Sequence, residues 1–136
     1  MPDHVVLLRR WERAQYQTPH WPPWFPFPGV TAVPSVGHTP GHTAFLIASG
    51  NDQLMIWGDT VHVPEVQTAL PEAGMAFDTD LAAAAAARKR MFDRVATDRV
   101  LVAGMHLHFP SFAHLVRQGD AYALVPEAWV HTLDGV

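Results

Sequence analysis

Three polar side chains with metal-binding chemistry stand at the ends of apolar segments. His42 directly precedes the run TAFLIAS, Asp59 directly follows the run QLMIWG, and His106 comes two residues after Gly104. The sequence holds nine histidines and no cysteine, which excludes disulfides and thiolate metal sites. Two imidazoles and a carboxylate suit Zn²⁺ or a similar divalent ion. The three residues therefore form a candidate metal site if the fold brings them together.

The segments between His42 and Asp59 predict a β-hairpin. Residues 43–49 and 53–58 are apolar strand candidates, and Gly50, Asn51 and Asp52 separate them as turn residues. An antiparallel hairpin returns the chain to the sheet edge where it began. His42 and Asp59 should therefore be neighbours.

The segments between Asp59 and His106 predict a crossover connection. A helix over residues 81–96 and a short buried strand over residues 99–104 follow the hairpin. A strand, a helix and a second strand in one sheet make the two strands parallel, so their carboxyl ends share an edge. Ligand sites of α/β sheets tend to lie at that edge. Asp59 and His106 should meet there, and nearby glycines at 37, 41, 58 and 104 permit tight turns around the site.

The predicted helix has a capped start and one apolar face. Residues 78–80 (DTD) offer a side-chain cap, and the alanines that follow favour helix. The apolar face comprises Leu81, Ala84, Ala85, Met91, Phe92 and Val95. The basic residues Arg88, Lys89, Arg90 and Arg94 are predicted to form a solvated face that complements the helix dipole.

The remaining segments are less regular. Residues 3–17 predict a short strand and a helical turn, residues 30–36 a strand, and residues 121–125 a final edge strand. Residues 18–29 hold five prolines among aromatic residues, which predicts a stiff extended loop. This loop is either a packed connector or an aromatic wall over a substrate pocket, formed by Trp21, Trp24, Phe25 and Phe27.

Composition narrows the class of protein. A chain of 136 residues with 49% hydrophobic and 16% charged residues fits a single globular domain, here residues 1–136. A net charge of −4 provides no basic field for nucleic acid, so we expect no nucleic-acid partner. The sequence shows neither a signal peptide nor a membrane-spanning segment, which predicts a cytoplasmic protein without membrane contact.

Three motifs resemble the later ligand motifs of the metallo-β-lactamase superfamily: GHTPGHT at 37–43, GDTVH at 58–62 and AGMHLHFP at 103–110. FDTD at 77–80, the alanine-rich helix and GDAYALVP at 119–126 are most similar to the branch that includes methyl parathion hydrolase. The resemblance covers about the last hundred residues. It implies an α/β (α+β) fold that is the C-terminal half of the αββα sandwich, with a mixed sheet and covering helices.

The resemblance also implies roles for individual residues. His42 would bind a first zinc, Asp59 would bridge two zincs, and His106 would bind the second, with other divalent metals as alternatives to zinc. Asp59 would be the catalytic residue that holds the bridge and helps orient a metal-bound hydroxide for attack on an ester, lactone or phosphotriester of a small-molecule substrate. His38 would shape its turn, while roles for His62 and His108 stay open.

One motif of the resemblance is missing. The family's HxHxDH motif does not occur, and only PDHV at 2–5 looks like the tail of one, leaving Asp3 and His4 as minor ligand candidates. We therefore expect a C-terminal portion whose activity needs a complementing N-terminal half, from missing sequence, another chain or a swapped homodimer. One alternative is a catalytically incompetent half-domain that acts as a binding or dimerising module. Another is a single metal site from His38, His42, Asp59 and His106.

Overall fold

The computed structural model describes residues 26–129. The strand and helical turn predicted for residues 3–17 lie outside this range, as do most of the 18–29 loop, its residues Trp21, Trp24 and Phe25, and the ligand candidates Asp3 and His4. At the described end of this loop, Pro26 and Phe27 form a short strand paired with Thr31 and Val30. Gly29, with φ of 80°, makes the turn between the two strands.

The described residues form a seven-stranded mixed sheet in which the strand order follows the chain order. Every neighbouring pair of strands is antiparallel except β4 and β5, which are parallel. The strands are β1 (Pro26–Phe27), β2 (Val30–Pro34), β3 (Thr43–Ser49), β4 (Asp52–Ile56), β5 (Leu101–Ala103), β6 (Phe112–Gln118) and β7 (Ala121–Pro126).

The predicted hairpin and crossover are both confirmed. Strand β3 has the predicted bounds and pairs antiparallel with β4, from Phe45 opposite Ile56 to Ser49 opposite Asp52. Strand β4 pairs parallel with β5, and β7 is the predicted edge strand. Strand β6 was not predicted. Its last three residues, Val116 to Gln118, are exposed, and two of them are polar. The segment FAHLVRQ therefore lacks the continuous apolar alternation that predicts a strand.

Three helical segments connect the strands. A 3₁₀ turn (Gly58–Thr60) follows β4, a short helix α1 (Pro64–Gln67) comes next, and the long helix α2 (Leu81–Asp98) precedes β5. The side chain of Asp80 accepts a hydrogen bond from the Ala83 N–H at 2.9 Å, as expected for a helix cap. No helix of the described residues is both long enough and apolar enough to cross a membrane.

Helix α2 packs on one face of the sheet and builds the core there. Met91, Phe92 and Val95 of the helix face Met55, Trp57 and Val102 of the sheet region, and all six are buried. This confirms most of the predicted apolar face of the helix. Leu81 is an exception: it lies at the first turn and is 55% exposed.

The prediction of a solvated basic face is wrong for Arg88. Its side chain is only 1% exposed, and its guanidinium donates to the backbone carbonyls of Thr60, Pro71 and Ala73, each at 2.8 Å. Burial lowers the pKa of this group from its usual range. Arg88 therefore ties the segment after β4 to the helix, whereas Lys89 and Arg90 on the same turn are exposed.

Candidate metal centre

Asp59 and His106 meet at the edge of the sheet, as the crossover predicts. The Nε2 atom of His106 lies 3.0 Å from Oδ1 of Asp59. Asp59 belongs to the 3₁₀ turn at the end of β4, and His106 belongs to the loop after the parallel neighbour β5. Their side chains are 37% and 43% exposed, so both the carboxylate and the imidazole are open to a ligand from solvent.

His42 also contacts Asp59, but its ring is hydrogen-bonded to the backbone N–H of Asp59 and not to the carboxylate. Its Nδ1 lies 2.8 Å from the Ser35 carbonyl and therefore donates, while its Nε2 accepts the Asp59 N–H at 3.0 Å. Gly58 has φ of 55°, and a Cβ there would lie 2.9 Å from His42 Nε2, so the glycine allows the ring to approach. With the proton on Nδ1, Nε2 carries the lone pair that metal coordination needs. In this structure the Asp59 N–H is hydrogen-bonded to that lone pair. A ligand role for His42 stays a prediction.

His62 joins the cluster and was not assigned from the sequence. Ligand atoms of Asp59, His62 and His106 all lie within 4.8 Å of one another. The His62 ring lies 4.8 Å from the His106 ring, centroid to centroid. The spacing Asp59-x-x-His62 after a glycine turn was the available signal, because a tight turn places residues three apart on one side.

His38 links this cluster to a buried carboxylate. Its Nδ1 lies 3.1 Å from Oδ1 of Asp78, and its Nε2 lies 3.6 Å from Oδ2 of Asp59. The Asp78 side chain is 0% exposed, and its Oδ2 accepts the Met75 N–H at 2.9 Å. Burial raises the pKa of Asp78, but the Met75 and His38 hydrogen bonds outweigh it and the net direction is downward. His38, His62 and Asp78 form a second set with ligand atoms within 4.8 Å.

The other histidines lie elsewhere or outside the described residues. His108 pairs with Glu65 at the surface, where their side chains are 82% and 61% exposed. The Nε2 atom of His114 lies 3.8 Å from Oε2 of Glu127. His4, His20 and His131 fall outside residues 26–129.

Burial controls the protonation of two imidazoles in the cluster. Desolvation is the largest influence on His42 and lowers its pKa, against the opposing effect of the Ser35 hydrogen bond. Desolvation also lowers the pKa of His62, with the neighbouring His38 and His106 adding in the same direction. Both rings are therefore neutral at neutral pH, the state in which imidazole binds a metal.

Acidification should destabilise the metal-free protein. Because the folded-state pKa of His42 lies below its ordinary value of 6.5, the unfolded chain takes up the proton more readily. The contribution to stability is complete above that ordinary value and is lost as the pH falls toward the folded-state pKa. We expect the free energy of unfolding, measured by urea unfolding with chelator present, to fall as the pH is lowered from about 7.5 to about 5.5.

A matched pair of variants checks the origin of this pH dependence. His42→Gln should reduce it and leave the part due to His62, whereas His114→Gln, at a half-buried position on β6, should leave it unchanged. An equally steep pH dependence in His42→Gln would contradict the assignment.

The donor set at the sheet edge fits a zinc ion. Two imidazoles and one carboxylate, partly open to solvent, provide nitrogen and oxygen ligands of the kind zinc prefers. The Nδ1 atom of His62 is buried and has no hydrogen-bond partner among the described residues. An unpaired buried nitrogen beside a carboxylate is consistent with a site completed by a cation.

Comparisons with solved structures identify the fold. The chain is similar to AidC, a dizinc quorum-quenching lactonase solved with a product, with a TM-score of 0.73, 29% identity, and coverage of 76% of this chain and 35% of that chain. AbOPH, a hydrolase in the beta-lactamase superfamily, gives a TM-score of 0.72 and 28% identity over 75% of this chain and 35% of that one. A probable metal-dependent hydrolase from Staphylococcus aureus shares the fold at 21% identity and a TM-score of 0.62, over 77% of this chain and 38% of that one.

The fold is therefore part of a metallo-β-lactamase sandwich, as the sequence motifs predict. The chain spans about a third of the length of the solved structures that it matches. No protein-family model matches the sequence, and no curated protein matches it. The resemblance to the methyl parathion hydrolase branch stays a prediction.

Proposed function

We propose that this chain is the metal-binding part of a zinc-dependent hydrolase of small molecules. The observation that carries the proposal is the contact between Asp59 and His106 at the carboxyl ends of parallel strands. The same fold in two metallo-β-lactamase-type hydrolases, at 29% and 28% identity, supports it. The substrate class is a carboxylic ester, a lactone or a phosphotriester.

His42, Asp59 and His106 are the residues that would hold the metal. Zinc bound there would lower the pKa of a coordinated water to near neutrality and polarise the bond to be hydrolysed. Asp59 is the central residue, because its carboxylate faces His106 on one oxygen and His38 on the other. The hydrogen bond from Asp59 N–H to His42 holds the turn that carries this carboxylate.

An apolar cavity between α1 and the last two strands would accommodate part of the substrate. It has a volume of about 410 Å³, and its walls include Leu107 and Pro64, which follow His106 and His62 closely along the chain. Phe112 and Leu124 of the last two strands complete the apolar lining. A cavity of this size and character takes a small apolar group.

The test is zinc-dependent turnover of three substrate classes: N-hexanoyl-homoserine lactone, an aryl ester and an aryl phosphotriester. Removing metal from the purified protein with a chelator should lower the rate of the accepted substrate by about a hundredfold or more, and added zinc should restore it. Asp59→Asn should stay inactive after zinc is added. Asp52→Asn, at the exposed first residue of β4, is the matched control. Because the missing HxHxDH motif predicts that activity needs a complementing N-terminal half, the assay is run with and without a separately produced segment that carries this motif. Zinc-loaded protein that hydrolyses none of the three substrates in either arm would contradict the proposed function.

A binding or dimerising module is the second candidate, and the sheet face opposite α2 favours it. Leu54 lies between Ile47 and Leu101 on that face, and all three side chains are only half-buried. A partly exposed apolar sheet face of this kind is typical of a surface that binds a second copy of the chain or another protein. A dimer without turnover in the assay above would support this candidate.

A further inference from the structure

We propose that His62 is a metal ligand and that, with Asp59 and His106, it completes a three-residue cation site within this chain. The motif resemblance assigns ligand roles to His42, Asp59 and His106 only. The inference rests on the metal site of the proposed function, but it does not depend on hydrolysis.

The first support is geometric. His62, Asp59 and His106 each offer one ligand atom, and these atoms lie within 4.8 Å of one another. The centroids of the His62 and His106 rings lie 4.8 Å apart, and the rings are tilted by 37°. Three protein ligands with a position left open for a small ligand is the arrangement of catalytic zinc sites.

The second support is the unpaired nitrogen of His62. Its Nδ1 is buried and has no partner among the described residues, although both nitrogens of His42 are hydrogen-bonded. Leaving a buried polar atom unpaired costs about 1–3 kcal/mol. A cation bound directly to Nδ1 would remove this cost.

The third support is that the backbone of His62 is fixed independently of any metal. Its N–H donates to Oε1 of Gln67 at 2.7 Å, and the amide of Gln67 in turn donates to the Ala73 carbonyl at 2.9 Å. Gln67 is only 1% exposed. Two residues before His62, the backbone carbonyl of Thr60 accepts a hydrogen bond from the Arg88 guanidinium. Buried polar groups on both sides thus hold the backbone that carries the ring, as preorganised metal sites require.

His62 also belongs to the set with His38 and Asp78, but that set is the poorer cation site. Both oxygens of Asp78 already accept hydrogen bonds, from His38 and from the Met75 N–H. The Asp78 side chain is fully buried, whereas the Asp59 side chain is 37% exposed. A cation reaches Asp59 from solvent without breaking the His38–Asp78 bond, so His62 is assigned to Asp59 and His106.

The experiment measures metal binding directly, without any substrate. Zn²⁺ is titrated by calorimetry, and Co²⁺ binding is followed by its visible absorption, into the unchanged chain and into His62→Ala, His62→Gln, His106→Ala and Asp59→Asn. The unchanged chain should bind one ion. Changes in residues that merely orient ligands weaken metal affinity by about 10–100-fold, so losing His62 itself should weaken it by about a hundredfold or more. The cobalt spectrum should also change.

Controls separate ligand loss from misfolding and from the alternative set. His108→Ala, a surface histidine paired with Glu65, should bind zinc as the unchanged chain does. Circular dichroism should show that His62→Gln keeps the fold. Asp78→Asn should weaken binding far less than Asp59→Asn; the reverse order would overturn the assignment in favour of the Asp78 set.

Two outcomes distinguish this inference from the proposed function. If His62→Ala and His62→Gln bind zinc as tightly as the unchanged chain while Asp59→Asn does not, the ligand role of His62 is overturned and the hydrolase proposal stands. If the chain binds one ion through His62 but hydrolyses nothing, the inference stands and the proposed function fails. An unchanged chain that binds neither zinc nor cobalt overturns the inference.

Discussion

Replacing Arg88 by methionine should lower the free energy of unfolding by about 3–4 kcal/mol or more. The guanidinium is buried and donates to three carbonyls, and methionine of similar length provides no donor. The carbonyls of Thr60 and Pro71 would lose these bonds, while that of Ala73 would keep the bond from Gln67. Each buried carbonyl left without a donor costs about 1–3 kcal/mol.

Arg90→Met is the matched control for this prediction. Arg90 lies two residues further along the same helix and is exposed, so its replacement should change stability by less than about 0.5 kcal/mol. Urea unfolding of both variants, without metal, gives the comparison. A loss below about 1 kcal/mol for Arg88→Met would show that the three hydrogen bonds are not important for stability.

Replacing Gly37 by alanine should be at least as damaging and should prevent folding. Gly37 has φ of 136°, and a Cβ there would lie 2.1 Å from the backbone nitrogen of Ala84 and 2.3 Å from its Cα. These are backbone atoms of the first turns of α2, so relief requires the helix to move away from the loop between β2 and β3. Because the Gly37 carbonyl also accepts the Asp80 N–H at 2.9 Å, the cap of the helix would move too. We expect a loss of more than about 4 kcal/mol.

Gly50→Ala separates this steric clash from backbone strain alone. Gly50 also has a positive φ, 58°, but a Cβ there would have no neighbour within 4 Å. Its replacement should cost only about 1–2 kcal/mol, the ordinary penalty for a left-handed residue other than glycine. Equal losses in the two variants, measured by thermal unfolding or by soluble yield, would contradict the role of the close contact with α2.

The sequence was sufficient for the parts of the fold that depend on local pattern. The hairpin between His42 and Asp59 follows from two apolar runs separated by turn residues, and the crossover follows from one capped helix. Chain geometry then brings Asp59 and His106 together, because both follow the carboxyl ends of parallel strands. These contacts needed no knowledge of distant side chains.

The parts that could not be predicted depend on contacts between distant segments. Arg88 looks like a solvated residue in the sequence, and only the carbonyls brought by residues 60, 71 and 73 make its burial favourable. Nothing in the local pattern indicates these carbonyl partners. The spacing Asp59-x-x-His62 was a local signal for His62, but its approach to His106 depends on the distant pairing of β4 with β5. The family motifs point to His42, whose Nε2 accepts a backbone N–H in this structure.

The order of the strands has a consequence for how the site forms during folding. Within residues 26–129, every strand pairs with its neighbours in the chain, and most pairs need only a short loop to close. The parallel pair β4 and β5 is different, because its closure must span the 44 residues between Ile56 and Leu101. Loop entropy makes this closure the slowest pairing of the sheet. Asp59 and His106 stand on either side of this pair. The two antiparallel units, β1–β4 and β5–β7, should therefore form first, and the metal-binding contact should appear only with the last cooperative step.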